Sequence, residues 1–164
     1  NNKTIAILLS NRVHPSRSMG SINQTRRLFA RHVADSIPVT IPGKSDAWFA
    51  GYGDKLNRIM ESDLHLSKDT KFTFTTWHMI ENVWDSGFVE IYRDGSWQQL
   101  ALLTGTSNGW EKKELTIPGD ATKLRFVYRT DGSANSRGWY IQNPKFESGN
   151  ALQFSKNEWE LRDY

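Results

Sequence analysis

The chain has 164 residues, of which 37% are hydrophobic and 24% charged, a composition that indicates a folded protein and excludes a disordered one. It contains no cysteine, which excludes disulfides, thiolate metal sites and a cysteine nucleophile. The formal net charge of +3 comes from residues 1–43, because the remainder of the chain is slightly acidic. Since the Trp, Tyr and Phe residues lie mostly in that acidic part, we do not expect a nucleic-acid-binding protein.

The first segment, residues 1–37, has the pattern of a strand, a loop and a helix. The continuous apolar run Thr4–Ser10 predicts a strand buried on both faces, and residues 11–20 predict a loop. Apolar residues at nearly helical spacing predict a helix over Ile22–Ile37, ended by Pro38. One strand and one helix cannot bury their own apolar faces. We therefore expect the chain to be the C-terminal part of a longer protein, with this segment covered by the sandwich, the tail or a second copy in a homodimer.

The remainder of the chain has the pattern of a β-sandwich. Residues 38–46 contain two Pro and one Gly and predict a short, stiff linker. Alternating apolar and polar residues then predict strands over residues 47–148, an antiparallel β-sandwich or jelly roll. The tail, residues 149–164, is expected to pack on the first segment or on the sandwich. The predicted strands are Phe72–Ile80, Gly87–Arg93, Ser96–Leu103, Trp110–Ile117, Lys123–Thr130 and Trp139–Phe146, with further candidates at Trp48–Tyr52 and Leu56–Met60.

The sequence contains no complete catalytic motif. No serine lies in a G-x-S-x-G elbow or an S-x-x-K pair, the arrangements that supply an activated nucleophile. The four histidines are far apart in sequence and do not have the spacing of a transition-metal site. We therefore assign no catalytic residue and expect this chain not to be an enzyme.

Three loop acids and three tryptophans are the candidate site residues. Glu81 and Asp85 flank a turn after a predicted strand, and Asp131 lies in the loop before the last one. Ca²⁺ takes six to eight oxygen ligands, so these acids are candidate ligands, although solvated loop acids would have the same pattern.

The tryptophans Trp48, Trp84 and Trp110 border predicted loops. A tryptophan there can stack on a sugar ring or close the end of the sandwich.

Two stretches of the first segment carry a family resemblance, IAILLSNRVHPSR (Ile5–Arg17) and INQTRRLFARHVADSI (Ile22–Ile37). Together they resemble the end of the serine β-lactamase, penicillin-binding protein and esterase family. The resemblance implies the last strand and the C-terminal helix of an α/β hydrolase-type domain. The catalytic motifs of that family lie upstream of this point, so no catalytic role is carried over to any residue here.

Two stretches of the sandwich carry a second resemblance, Phe72–Leu100 and Leu124–Phe146, with a looser match from Trp48 to Leu56. Residues 47–147 are similar to the β-sandwich domain of immune inhibitor A-type metallopeptidases and to MAM-like jelly rolls. The resemblance implies this fold and an accessory status.

The second resemblance also implies a structural Ca²⁺, because acids at such positions hold one in related jelly rolls. Glu81, Asp85 and Asp131 match those positions, whereas Gln142 stands where the family usually has Asp. The loss of one anionic ligand weakens a site for a hard cation.

The sequence leads to one functional expectation with an alternative. We expect a non-catalytic C-terminal accessory module of an exported bacterial serine hydrolase, located outside the cell or in the cell envelope. The module would bind cell-wall or other polysaccharide, or a protein. Alternatively, the sandwich is purely structural, packs on the parent catalytic domain and shapes its cleft or mediates oligomerisation. Two or more tryptophans on one exposed face would favour binding, whereas scattered, buried tryptophans would favour the structural role.

Overall fold

The computed structural model describes residues 5–9, 22–134, 136–149 and 152–163. The chain divides into two compact units, Asn1–Thr40 and Ile41–Tyr164. The second unit is a sandwich of two antiparallel β-sheets, so the protein is mainly β, as the sequence predicts. Within the described ranges, no helix has both the length and the apolar composition to cross a bilayer.

In the part of the first unit that the structure describes, there is one helix, α1, at Ile22–Asp35. Near its end, the Ser36 hydroxyl donates to the Val33 carbonyl, and Pro38 follows directly after this turn region. The helix prediction is confirmed with a slightly earlier end. The predicted strand over Thr4–Ser10 is wrong for residues 5–9, which have no regular secondary structure. A strand exists only where backbone groups pair with a neighbouring strand, and residues 5–9 have no such pairing. The predicted loop at 11–20 lies outside the described residues.

The described residues of the second unit form ten strands, and the six main predicted strands all occur, with ends that shift by at most two residues. Their bounds are β1 Ala47–Phe49, β2 Asn57–Asp63, β3 Thr70–Met79, β4 Ser86–Arg93, β5 Ser96–Leu103, β6 Glu111–Ile117, β7 Lys123–Arg129, β8 Gly138–Phe146, β9 Ser155–Asn157 and β10 Glu160–Arg162. The candidate at Trp48–Tyr52 is the shorter β1, and the candidate at Leu56–Met60 is the longer β2.

The strands form two five-stranded sheets. The first has the order β10-β1-β8-β3-β6, and the second has the order β5-β4-β7-β2-β9. Asp94 and Gly95 both have positive φ, of 52° and 75°, which is the type I′ geometry that joins two strands with right-handed twist. They connect β4 to β5, whose ladder pairs Arg93 with Ser96.

The tail packs on the sandwich, which resolves one alternative left open by the sequence. β9 pairs with β2 at the edge of the second sheet, and β10 pairs with β1 at the edge of the first. Between them, Trp159 is 4% exposed and joins the hydrophobic core. Its ring lies 5.5 Å from that of Trp139, in an edge-to-face arrangement.

The two inner faces share one core of large apolar side chains. Burial alternates along β3, as expected for a strand with one face turned to the core. The inward residues of β4 and β7 pack into the same core from the other sheet. The largest fully buried side chains are Trp139, Tyr128, Phe72, Phe74, Phe126 and Met60. This core fixes the ends of the strands, and so the loops that carry the candidate site.

Candidate functional site

The three predicted loop acids meet at one end of the sandwich. Glu81 and Asp85 lie in the connection from β3 to β4, and Asp131 follows β7. One carboxylate oxygen from each of these residues lies within 4.8 Å of the others. Asp131 is therefore brought close to two acids that lie 46 and 50 positions before it in the sequence. We call Glu81, Asp85 and Asp131 the acidic cluster.

Backbone hydrogen bonds hold the acidic cluster in place. The Asp131 N–H donates to Asp85 Oδ1 at 2.9 Å, and the Ser133 N–H donates to Asp131 Oδ1 at 2.9 Å. The hydroxyl of Thr104, just after β5, lies 3.2 Å from the Glu81 carbonyl oxygen and 3.3 Å from that of Asp85. The two ends of the β3–β4 connection are thus joined through one side chain.

Two oxygens of the acidic cluster are buried without a hydrogen-bond partner among the described residues. They are Glu81 Oε2 and Asp85 Oδ2, and Asp85 as a whole has no exposed surface. A buried carboxylate oxygen without a donor is costly, so it calls for a partner.

The pKa shifts of Glu81 and Asp85 also favour a bound cation. Burial raises the pKa of Glu81 above its ordinary value, and the charges of Asp131 and Asp85 raise it further. Burial also raises the pKa of Asp85, with the charges of Asp131 and Asp54 adding to it, against the opposing hydrogen bond from the Asp131 backbone. Glu81 and Asp85 are therefore harder to ionise because of their burial and of the charges beside them, and a bound cation would offset that penalty.

The donor set suits a hard cation. Carboxylate oxygens on loops are the ligands that Ca²⁺ prefers, and the orphaned oxygen of the fully buried Asp85 is a ready ligand atom. Glu81, Asp85 and Asp131 would hold the ion, which would supply positive charge and cross-link two loops. Three carboxylates alone do not complete six to eight ligands, so backbone oxygens or water would have to supply the others.

Gln142 makes hydrogen bonds to another part of the chain. It lies in β8, is 3% exposed, and its Nε2 donates to the carbonyl oxygens of Pro42 and Ser45 at 2.9 and 3.0 Å. Residues 42–44 form a 3₁₀ turn, so the amide fastens part of the predicted linker to the sandwich. An Asp at this position would place a carboxylate oxygen, which only accepts hydrogen bonds, against the two carbonyl oxygens. An amide suits this chain because its N–H groups can donate to both of them.

The three predicted ligand-binding tryptophans lie in different surroundings. Trp48 is in β1, half-buried and packed against the core. Trp84 is in the β3–β4 connection, 68% exposed, between the two acids of that loop. Trp110 directly precedes β6 and is half-buried, with its ring 6.2 Å from that of Tyr140.

Trp110 belongs to an aromatic group on the outer surface of the first sheet. Tyr140 stacks on Phe49 at 4.4 Å between ring centres, and Trp77 meets Tyr140 edge-on at 5.8 Å. These side chains lie on the face of the sheet opposite the shared core, because their neighbours in β3 and β8 point into that core. Phe49 and Tyr140 are themselves buried, at 2% and 4% exposure, so the accessible ring surface belongs to Trp77, Trp110 and Tyr52, whose ring lies 6.5 Å from that of Phe49. We call Tyr52, Phe49, Tyr140, Trp77 and Trp110 the aromatic face.

Two arginines border the aromatic face. The guanidinium carbon of Arg162 lies 3.9 Å from the ring centre of Phe49, and that of Arg137 lies 5.7 Å from the ring centre of Trp77. Apolar ring surface beside several N–H donors is the combination that binds a hydroxylated ring compound. Trp77 was missed as a candidate because it lies in mid-strand, but its place in the alternation of β3, beside the inward Thr76 and His78, could have shown that it faces outward.

The comparisons with known proteins give one partial similarity. No protein-family model matches the chain. Over 75 residues the chain is 28% identical to Bacillopeptidase F of Bacillus subtilis (strain 168), in an alignment that covers 43% of this chain. That alignment spans 5% of the relative's length. The sandwich is thus distantly similar to part of a bacterial peptidase, and these comparisons lend no support to the β-lactamase-type resemblance of residues 5–37.

Proposed function

We propose that residues 41–164 form a non-catalytic accessory module of an exported bacterial hydrolase, and that the module binds cell-wall polysaccharide through the aromatic face. The observation that carries this proposal is the presence of two tryptophans, Trp77 and Trp110, on the same outer surface beside Tyr140. This is the arrangement that favours binding over a purely structural use of tryptophan. The similarity to a short part of a much longer peptidase supports the accessory role.

The chemistry of the aromatic face suits a sugar ring. The C–H side of a pyranose packs on aromatic rings, and its hydroxyls need hydrogen-bonding groups close by. Trp77 and Trp110 are both half-buried, so each is held in position by packing while part of its ring remains accessible. A pre-organised contact of this kind costs little side-chain entropy on binding.

Binding of the whole chain to insoluble peptidoglycan and to cellulose tests the proposal. We expect retention on peptidoglycan, and a loss of at least fivefold in affinity for Trp77→Ala and for Trp110→Ala. Trp97→Ala is the matched control, because Trp97 is also half-buried and outward-facing but lies in β5 of the other sheet, beneath Arg125. Equal binding by all three variants, or no retention of the wild type on either polymer, would contradict the proposal.

The nature of the parent enzyme is a separate part of the proposal. We propose a serine hydrolase of the β-lactamase, penicillin-binding protein or esterase type, on the resemblance of residues 5–37. The full-length protein that contains this chain should then form an acyl-serine with a labelled β-lactam or an activated ester. Labelling that is abolished by a metal chelator, or no labelling at all, would favour a peptidase of another class.

A purely structural function is the second candidate. Trp139 and Trp159 are buried, and Trp48 packs against the core, so a large part of the tryptophan content stabilises the fold. Under this alternative, alanine at Trp77 and Trp110 would lower stability or assembly with the parent without affecting polysaccharide retention.

A further inference from the structure

The turn that carries two ligands of the acidic cluster also carries the most exposed aromatic side chain among the described residues. Glu81 and Asp85 bracket Val83 and Trp84, which are 75% and 68% exposed. Large apolar side chains at the tip of a loop gain nothing from the fold itself. Two such neighbouring side chains are available for a contact outside the chain.

The conformation of this turn is strained. Val83 has a φ of +79°, in the left-handed region that β-branched residues rarely adopt. Such a conformation persists only when its surroundings hold it in place. Here the hydroxyl of Thr104 bridges the carbonyl oxygens of Glu81 and Asp85, which fixes both ends of the strained segment.

The acidic cluster works against that conformation when no cation is bound. The side chains of Glu81 and Asp85 approach each other and Asp131, and each has a buried oxygen without a partner among the described residues. Repulsion between the carboxylates is relieved if the turn opens and the strained Val83 relaxes. The closed turn and the bound cation therefore favour each other, and each must strengthen the other by the same factor.

We propose that a divalent cation held by Glu81, Asp85 and Asp131 keeps the Val83–Trp84 turn closed, and that the closed turn presents Trp84 as a second, cation-dependent contact for a sugar ring. The sugar part rests on the proposed function, whereas the coupling of cation to turn stands on the geometry alone. The acidic cluster thus becomes the regulator of one of two binding surfaces.

Fluorescence of Trp84 tests the coupling without any sugar. The emission of the whole chain is recorded during a Ca²⁺ titration after chelation, and the signal of Trp84→Phe is subtracted. We expect a saturable change that belongs to Trp84 and disappears in Asp85→Asn. Trp97→Phe is the control, because removing this tryptophan of the opposite sheet should leave the change intact.

A substitution at Val83 makes the test sharper. Asn tolerates positive φ far better than Val, so Val83→Asn should close the turn at lower cost and bind Ca²⁺ several-fold more tightly in calorimetry. Val83→Ile keeps the branched side chain and should bind with the affinity of the wild type. Unchanged affinity in Val83→Asn would show that the turn is not strained against the cation.

The outcomes separate the parts of the proposal. Absence of Ca²⁺ binding by calorimetry overturns the cation site, and binding without a Trp84 signal overturns the coupling. Where both hold, a soluble N-acetylglucosamine tetramer is titrated with and without Ca²⁺. Trp84→Ala should remove only the Ca²⁺-dependent part of its affinity, and a loss that is equal with and without Ca²⁺ would contradict this role. No binding of the tetramer or of peptidoglycan at all would overturn the polysaccharide function but leave the cation-coupled turn intact.

Discussion

A buried hydrogen bond in the core offers the sharpest test of the packing described above. The indole Nε1 of Trp139 donates to the Thr76 hydroxyl at 2.7 Å, and that hydroxyl donates in turn to the Tyr140 carbonyl at 3.0 Å. Trp139 and Thr76 are both fully buried, so no solvent can replace a lost partner. The perturbation is a double-mutant cycle of Thr76→Val, Trp139→Phe and the combined variant.

The structure sets the magnitudes. Thr76→Val keeps the shape of the side chain but leaves the indole N–H without an acceptor, which costs about 1–3 kcal/mol of unfolding free energy. Trp139→Phe removes the donor and leaves a cavity, at a cost of about 1–3 kcal/mol. In the double variant no indole N–H remains to lack an acceptor. The combined loss of unfolding free energy should therefore be smaller than the sum of the two single losses by about 1–2 kcal/mol.

Urea unfolding followed by far-ultraviolet circular dichroism measures the cycle without depending on tryptophan emission. All four proteins should share one m-value, which shows that only stability has changed. Additivity of the two single losses to within about 0.5 kcal/mol would refute the reasoning, because it would mean that Thr76 and Trp139 do not act as a bonded pair.

Three further predictions concern packing and the cation. Gly87→Ala should destabilise the sandwich by about 1–3 kcal/mol, since a Cβ there would lie 2.8 Å from the Trp139 ring. Gly132→Ala is the control in the same urea assay and should be near neutral, because a Cβ there has its nearest contact at 3.6 Å. Trp159→Ala should cost about 3–5 kcal/mol, because the tail then loses its one tryptophan in the core; a fall of under about 1 kcal/mol would mean that the tail adds little to the fold. Ca²⁺ at a hundred times its dissociation constant should raise the unfolding free energy by about 2.7 kcal/mol over the chelated protein, and an equal thermal midpoint in both conditions would exclude a structural cation.

Local pattern predicted the sandwich strands well. The alternation in Lys123–Arg129 and the Asp94-Gly95 turn are properties of neighbouring residues, and both survive in the structure. The same kind of reasoning failed for residues 5–9, because an apolar run becomes a strand only when another strand pairs with it. The three-residue strands of the tail were also missed, since they are too short to show a period.

For the candidate site, too, the local features could be predicted from the sequence and the distances between residues could not. The sequence indicated that Glu81, Asp85 and Asp131 are loop acids and that Trp84 borders a loop, because turn residues and strand ends are local signals. It could not show that their oxygens lie within 4.8 Å of one another. That distance depends on how β4 and β7 pair in the same sheet.

The sequence by itself therefore determined the six main strands of the sandwich and the alternation of apolar and polar faces along them, since both follow from a period of two along the chain. Only the tertiary structure decided which loops share an end, which tryptophans share a face, and which buried oxygens lack a donor. These properties depend on the order and register of strands that are distant in sequence, and pairing between distant strands is fixed by the packing of the whole core rather than by any local pattern.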